Sequence, residues 1–394
     1  MRSAPAVKSG LDVLLRDEQK LATLRRQRVG LLGHAASVSA DFEHAIDALI
    51  GAGVRLERLF GPEHGLRGEA QMMVGVQSAV DPLSGVPVVS LYGDTVESLA
   101  PETGALDGLD VLLIDVQDVG SRYYTYVATA LKLCRAATAV DLPVIVLDRP
   151  NPIGRRREGP SVDLGFHSFV GELAVPTRHG LSVAELFEWA KRAGWAIHFE
   201  TIACEGWDPT QALREKDFTW ALPSPNMPTL ETALVYPGGC LLEATNISEG
   251  RGTTRPFEIV GAPWIDARRW KASLDACELP GVAFRLASFI PTFDKFTGEA
   301  CRGLQVHVTD STRFEPLVTY AAMITRAAAQ HPQDFGWRPG AYEFVEEIPA
   351  MDLLAGSDRL RALIEAGAPI DELQAWAQTP SALEESCREV ERYA

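Results

Sequence analysis

Short apolar runs that recur through the first 150 residues constrain this chain most. RVGLLG at 28–33, VPVVSLYG at 86–93, DVLLID at 110–115 and PVIVLD at 143–148 are nearly continuous in Val, Ile and Leu, and RLERLF at 55–60 joins them as a strand-like run. A strand with one wet face alternates apolar and polar residues, whereas these runs suit strands buried on both faces of a parallel sheet. The stretches between them fit crossover helices. Positions 40–52, ADFEHAIDALIGA, put Phe42, Ala45, Ile46 and Leu49 on one helical face. YYTYVATALKLCRAATAV is long enough for another crossover, and Ser182 with Glu185 forms a capping box before LFEWAKRAG. WAIHFETIA at 195–203 can return as a further strand. The alternation predicts an α/β fold with a doubly wound, Rossmann-like parallel sheet.

The pattern is interrupted by LPSPNMP at 222–228 and YPGG at 236–239, which reads as a boundary between a domain spanning 1–238 and one spanning 239–394. In the second part VAFRLASFIPTF and GLQVHVTD look like strands, LVTYAAMITRAAAQ like a helix, and SALEESCREVERYA like a charged surface helix. This predicts a smaller α+β domain. A chain of 394 residues has room for two such cores.

Composition narrows the partners. A formal charge of −16 disfavours attraction to nucleic acid or an anionic membrane. No apolar run approaches the ~20 residues that span a bilayer. The start, MRSAPAVKSGLDVLLRDEQK, lacks the long apolar core of a signal peptide, so the expected location is cytoplasmic. The six cysteines, at 134, 204, 240, 277, 301 and 387, form no CxxC pair, and reduced, largely buried thiols are expected.

Polar clusters follow the runs. LFGPEHGLRG, Leu59 to Gly68, packs Glu63, His64 and Arg67 between glycines. Tyr92-Gly93-Asp94 follows the third run, Asp115, Gln117, Asp118 and Arg122 the fourth, and Asp148-Arg149-Pro150-Asn151 the fifth. Open α/β sheets bind ligands outside the carboxyl ends of their strands, so the clusters should converge on one rim. A further cluster, LLEATNISEGRGTTRPFE, carries Glu243, Asn246, Glu249, Arg251, Thr253, Thr254 and Arg255. Acids beside guanidiniums and amides suit a hydroxyl-rich or carboxylate-bearing ligand.

Nucleotide cofactors are disfavoured, because neither G-x-G-x-x-G after the first strand nor G-x-x-x-x-G-K-[ST] occurs. No cofactor is expected. A metal held by Glu63, Asp115 and Asp118 lacks a supporting spacing, so none is expected either.

Each cluster also has a purely structural reading. Glu63 can serve a helix N-terminus, and Asp115 and Asp118 can cap the helix starting near Arg122 or pair with that arginine. Asp148-Arg149-Pro150-Asn151-Pro152 is a good turn sequence. Arg178-His179-Gly180 reads as loop architecture. His44, His198, His307 and His331 sit in ordinary contexts, and Tyr123, Tyr124 and Tyr126 suit packing.

Six strings taken in order, GPEHGLRG, IDVQDVGSRYYTY, LDRPNP, PTRHGLS, PSPNMP and EATNISEGRGTTRPFE, resemble the NamZ family of exo-β-N-acetylmuramidases. The resemblance runs from about Gly10 to the C-terminus. It implies a Rossmann-like N-terminal domain with a smaller C-terminal domain. It also implies release of terminal N-acetylmuramic acid from the non-reducing end of peptidoglycan fragments, and a catalytic role for Glu63 in GPEHG. Many relatives are exported. Two departures stand out. The first strand ends in Gly33-His34 rather than the family's Thr-Asn or Thr-His, and Ala244 replaces the glycine of EGTN; both are expected to alter the rim of the sugar pocket.

Glycoside hydrolysis commonly needs an acid for the leaving oxygen and a second carboxylate. Glu63 leads for the acid, with Asp115, Asp118 and Glu249 for the second role. N-acetylmuramic acid carries a lactyl carboxylate, so a specific site needs a cation: Arg67, Arg122 or Arg251. His64, Gln117 and Asn246 complete the expected sugar contacts. The rivals are a β-hexosaminidase preferring N-acetylglucosamine and a non-catalytic muropeptide or sugar sensor. Oligomeric state is not legible in the sequence.

Overall fold

The computed structural model of the protein describes residues 6–68, 79–93, 95–102 and 104–393; Asp94 lies outside them. In chain order the first lobe comprises α1 (Gly10–Leu14), α2 (Glu18–Leu24), β1 (Arg28–Leu32), α3 (Ala45–Gly51), β2 (Arg55–Gly61), β3 (Ala79–Val80), β4 (Pro87–Ser90), β5 (Val111–Ile114), α4 (Tyr126–Ala139), β6 (Val144–Leu147), α5 (Val183–Arg192) and β7 (Glu200–Ile202). Its seven strands are ordered β3-β4-β2-β1-β5-β6-β7. Every pairing is parallel except β3 with β4.

The apolar runs are continuous because both sheet faces are covered. Val29 and Leu31 of β1, with Val111 and Leu113 of β5, pack on α1, α2 and α3 through Leu11, Leu14, Leu21, Ile46 and Leu49. The residues between them, Leu32, Leu112 and Ile114, turn to the other face and join Leu131, Cys134 and Phe187 of α4 and α5. The two-residue period of a strand divides each run between two cores.

The second lobe follows with α6 (Leu230–Gly239), β8 (Ile259–Ala262), α7 (Ala267–Asp275), β9 (Val282–Phe289), β10 (Cys301–Val308) and α8 (Pro316–Gln330). Four short helices end it: α9 (Ala350–Ala355), α10 (Arg359–Glu365), α11 (Ile370–Ala377) and α12 (Ser381–Arg388). Its sheet is antiparallel, in the order β8-β10-β9. The α4/α5 core of the first lobe runs without a break into Phe257, Trp270, Leu304 and Tyr320 of the second.

Three expectations need correction. YPGG is no interruption, since Tyr236-Pro237-Gly238-Gly239 forms the end of α6. The glycines serve packing: a Cβ on Gly238 would lie 2.1 Å from the Pro316 carbonyl oxygen, and one on Gly239 2.9 Å from Phe257 Cβ. Phe42 is not on the helix; it is exposed at φ 64°, and α3 starts at Ala45, where His44 caps it by accepting from Ile46 N at 3.3 Å. Neither Asp115 nor Asp118 caps α4, whose N-cap is Thr125.

All six cysteines are free thiols, five of them buried. No helix among the described residues is long and apolar enough to cross a membrane.

Candidate active site

Because β1, β2, β5 and β6 are parallel, their carboxyl ends share one side of the sheet. There a narrow cavity of about 40 Å3 lies between the lobes. Glu63 enters it from the end of β2, on a turn closed by Gly65 N–H to Pro62 O at 3.0 Å. The turn holds His64 at φ 69°, a conformation that most side chains avoid. Thr125, at the N-cap of α4, donates its hydroxyl to Glu63 Oε2 at 3.0 Å. The adjacent helix N-terminus favours negative charge there.

A second carboxyl, Glu343, enters from the far lobe. Tyr342 and Val345 exchange two backbone hydrogen bonds, at 2.9 and 3.0 Å, around a two-residue turn. The central residues, Glu343 at φ 45° and Phe344 at φ 70°, both stand in the left-handed region. Such hairpin turns normally take Asn and Gly at these positions. A glutamate and a phenylalanine there cost roughly 1–3 kcal/mol each, strain that characteristically gathers at functional sites. Burial comes first among the effects on Glu343, followed by the charges of Glu63 and Glu243. Together they push its carboxyl up to about 8, against the opposing Tyr92 hydroxyl and Arg338 guanidinium. Tyr92 lies 3.5 Å from Glu343 Oε2 and interacts with Glu63 as well. Burial and those two carboxyls drive the phenol far above its ordinary range, so it stays a neutral donor between them.

The wall from the second lobe is a buried chain of charges. Tyr342 OH donates to Glu243 Oε2 at 2.9 Å, and Arg251 Nη2 to Glu243 Oε1 at 2.7 Å. Arg251 Nε reaches Glu249 at 3.2 Å, and Lys295 Nζ binds the other Glu249 oxygen at 2.8 Å. Burial alone would raise Glu249, but Lys295 and Arg251 overcome it and hold the carboxyl well below its usual range. Tyr124, Tyr126, Ser224 and Asn226 add further polar groups to the lining.

Of the polar residues singled out from sequence, Glu63, His64, Glu243 and Arg251 line this cavity, and the other candidates are engaged elsewhere. Asp115 is buried in a two-pronged pair with Arg149, at 2.5 and 2.9 Å, which ties the end of β5 to the end of β6. Asp118 accepts from Gly120 N at 2.5 Å and from His179 Nε2 at 3.1 Å. Glu249 stands one step behind the wall, on Lys295 and Arg251. Gln117 Nε2 donates to the carbonyls of Asp118 and Pro150. Arg67 grips Asp81 at 3.0 and 2.9 Å. Arg122 donates to the carbonyls of Pro160, Val175 and Leu354, and burial lowers its guanidinium to about 10. Asn246 bonds Asp334 O and Gly336 N near the surface.

The two departures from the family strings lie beneath the rim rather than on it. His34 is fully buried, accepts from Gln117 N at 2.8 Å and packs edge-on against Tyr126. Burial, then the Arg149 charge, keeps its imidazole neutral by lowering it well below its ordinary value. Ala244 is buried, with its carbonyl on Arg338 N.

The sequence reading named Tyr92 in a strand-end cluster but missed Thr125, Tyr342 and Glu343. Its available signal was a lone acid between two aromatics, YEF, in an irregular stretch with no helical or strand period. A larger cleft, about 730 Å3, opens at the opposite ends of the strands, between α2 and the starts of β5 and β6. It gathers no buried carboxyl pair and lies away from the strand ends where open α/β sheets bind ligands. Among the described residues no group of His, Cys, Asp and Glu could hold a metal ion.

Residues 29–231 match the family described as exo-beta-N-acetylmuramidase NamZ, N-terminal, and residues 234–393 its C-terminal counterpart. The chain is 40% identical over 372 residues to the peptidoglycan beta-N-acetylmuramidase NamZ of Bacillus subtilis (strain 168), covering 94% of this chain and 87% of that one. Two DUF1343-family crystal structures from Bacteroides fragilis NCTC 9343 share the fold. One has a TM-score of 0.86 at 28% identity, covering all of both chains. The other has a TM-score of 0.74 at 25% identity, covering 98% of this chain and 99% of that one. The α/β two-lobed architecture and these matches agree: the chain belongs to the exo-β-N-acetylmuramidase NamZ family.

Proposed function

We propose that the protein is an exo-acting β-N-acetylmuramidase that releases terminal N-acetylmuramic acid from the non-reducing end of peptidoglycan fragments, with Glu63 and Glu343 as its catalytic pair. The carrying observation is that these two carboxyls face one cavity in different surroundings. Glu63 meets a hydroxyl donor and a helix N-terminus, while Glu343 is pushed up to about 8. Neighbouring carboxyls whose environments separate their protonation divide into acid and base. The sequence reading gives the acid role to Glu63; the charge distribution in the cavity favours Glu343 for it.

In this mechanism the Glu343 carboxylic acid gives its proton to the glycosidic oxygen as the C1–O bond breaks. Water supplies the hydroxyl that ends on C1. Glu63, as carboxylate, takes the remaining water proton. If the substrate's acetamido oxygen attacks C1 first, the same carboxylate holds the acetamido N–H. One water is consumed, and the cycle closes when Glu63 releases its proton to solvent and Glu343 takes one back. Asp115 is unsuited to that second role because Arg149 occupies both its oxygens.

The lactyl carboxylate needs a cation within reach. Arg67 is committed to Asp81 and Arg122 to backbone carbonyls. Arg251 lines the cavity. Arg338 stacks over Tyr342 at 5.5 Å, and among the described residues its guanidinium has no carboxylate partner within 4 Å. These two are the lactyl candidates.

The test is hydrolysis of aryl β-glycosides of N-acetylmuramic acid and of N-acetylglucosamine, together with the N-acetylmuramyl-β-1,4-N-acetylglucosamine disaccharide. Turnover of the muramyl substrates alone is expected. Preference for the glucosaminide would reassign the enzyme as a general β-hexosaminidase, and binding without turnover would make it a sensor.

A further inference from the structure

A second cavity, about 330 Å3, lies beside the first, and among the described residues Glu343 alone lines both. The partition between them is built from two short segments. In the turn at 342–345, Tyr342 faces the first cavity and Phe344 the second. In the single 3-10 turn Phe169–Gly171, Val170 faces the first and Phe169 the second. The acid thus stands in a wall that is one residue thick.

The second cavity has a different character. Its floor is aromatic: Phe344 and Phe169 both pack on Tyr92, at ring separations of 6.0 and 6.2 Å. Its edge is polar. Ser168 Oγ is buried without a hydrogen-bond partner among the described residues, His167 is exposed beside it, and Lys132 is half-buried on Glu172 at 2.7 Å. Aromatic faces with polar groups at the rim fit a sugar ring, which has apolar C–H faces and hydroxyls around its edge.

From this shared wall we infer that the second cavity is the leaving-group subsite and holds the neutral 2-acetamido sugar released when the muramic acid glycoside is cleaved. The inference rests on the proposed muramidase reading. A general acid must touch the oxygen joining two sugars, so the groups on its two sides hold the two halves of the bond. The first cavity holds the terminal sugar, against Glu63 and Arg251. Phe344 supplies the platform for the departing sugar, and His167 meets its hydroxyl edge. The turn geometry gains a reason: holding consecutive residues at positive φ aims Glu343 at the bond and spreads Phe344 beneath the leaving group.

The experiment compares two substrates. One is the N-acetylmuramyl-β-1,4-N-acetylglucosamine disaccharide, which fills both cavities. The other is N-acetyl-β-muramyl fluoride, whose leaving group is too small to reach the second. Phe344→Ala should raise KM for the disaccharide about tenfold, the loss expected when an aromatic anchor is truncated. His167→Ala should raise it less, and Phe344→Tyr should restore it. KM for the fluoride should move by less than about twofold, and the basic limb of the pH profile should stay in place, since Glu343 keeps its surroundings. A fall in kcat with a displaced basic limb would mean that Phe344 only positions the acid, and would overturn the subsite. Equal changes in KM for both substrates would overturn it as well. Failure of the wild-type protein to cleave either substrate would overturn the parent reading, and this inference with it.

Discussion

Thr125 holds the N-cap position of α4, yet its hydroxyl makes no bond to the helix and donates instead to Glu63 Oε2 at 3.0 Å. A capping hydroxyl is worth about 1 kcal/mol to a helix. Here that contribution is directed to a carboxylate across the cavity, linking the start of α4 to the end of β2. Thr125→Val keeps the shape and removes the donor. With no cap bond to lose, its melting temperature should stay close to wild type. A hydrogen bond to a charged group is worth about 1.5–3 kcal/mol, so kcat/KM should fall roughly ten- to hundredfold, and Thr125→Ser should recover most of it. A variant that melts early but works normally would show that the hydroxyl serves the fold.

Glu343 predicts two pH dependences. As general acid it must be protonated, so kcat/KM should decline as pH rises through about 8. Its folded-state value is raised from 4.5, so its contribution to stability is complete below 4.5 and is lost progressively up to about 8. Glu343→Gln should therefore remove the basic limb, reduce turnover of the disaccharide roughly 100-fold or more, and flatten the alkaline fall in stability. Glu63→Gln should cost a similar factor but leave that stability fall smaller, because a charge that raises Glu343 is gone. Kinetics with thermal unfolding between pH 5 and 9 would separate the two. An unchanged basic limb in Glu343→Gln would remove the acid role from this residue.

Much of the first lobe was legible because its physics is local. Residues such as Leu31, Leu113 and Val146 follow a period that records two-faced burial, and each polar cluster had to appear where a strand stopped. Glu63 could be read because it shares a short string with the end of β2. Glu343 could not, because its importance comes from a contact with Tyr92, 251 positions away, and from a backbone turn whose usual residues it lacks. Asp115 misled for the complementary reason. A buried aspartate at a strand end looks the same in sequence whether it faces a ligand or an arginine 34 positions on. The Pro-Gly-Gly of α6 resembled a turn, although close approach to Pro316 and Phe257 is what requires the glycines.

The Asp115–Arg149 pair can be tested for the role its geometry gives it. Both side chains are buried and joined at 2.5 and 2.9 Å. Asp115→Asn leaves a guanidinium without its counter-charge, and breaking such a pair from one side costs about 3–5 kcal/mol. Chemical denaturation should show that loss. The activity of the remaining folded protein, measured per active molecule, should stay within a fewfold of wild type. A stable but inactive Asp115→Asn protein would return this aspartate to the list of catalytic carboxyls.

Selectivity for the lactyl carboxylate should be divided unevenly between Arg251 and Arg338. Arg251 is held between Glu243 and Glu249, and its charge is already largely balanced by those carboxylates. Removing it leaves Glu249 with Lys295 and Glu243 with only the Tyr342 hydroxyl, so Arg251→Ala should lose stability as well as activity, and its effect on sugar preference will be mixed with damage to the wall. Arg338 stacks on Tyr342 without a carboxylate partner within 4 Å among the described residues, and its charge already reaches Glu343. Arg338→Ala should therefore fold normally and lose preference. Pairing with a carboxylate is worth about 1.5–3 kcal/mol, which predicts a roughly ten- to hundredfold drop in the ratio of kcat/KM for muramyl over glucosaminyl substrates. The same substitution removes a charge that opposes the raised Glu343, so the basic limb should move upward in pH. Arg67→Ala and Arg122→Ala serve as controls and should leave the ratio unchanged, because their guanidiniums are committed to Asp81 and to backbone carbonyls. An unchanged ratio in Arg338→Ala, with a changed one in either control, would move lactyl recognition to the first lobe.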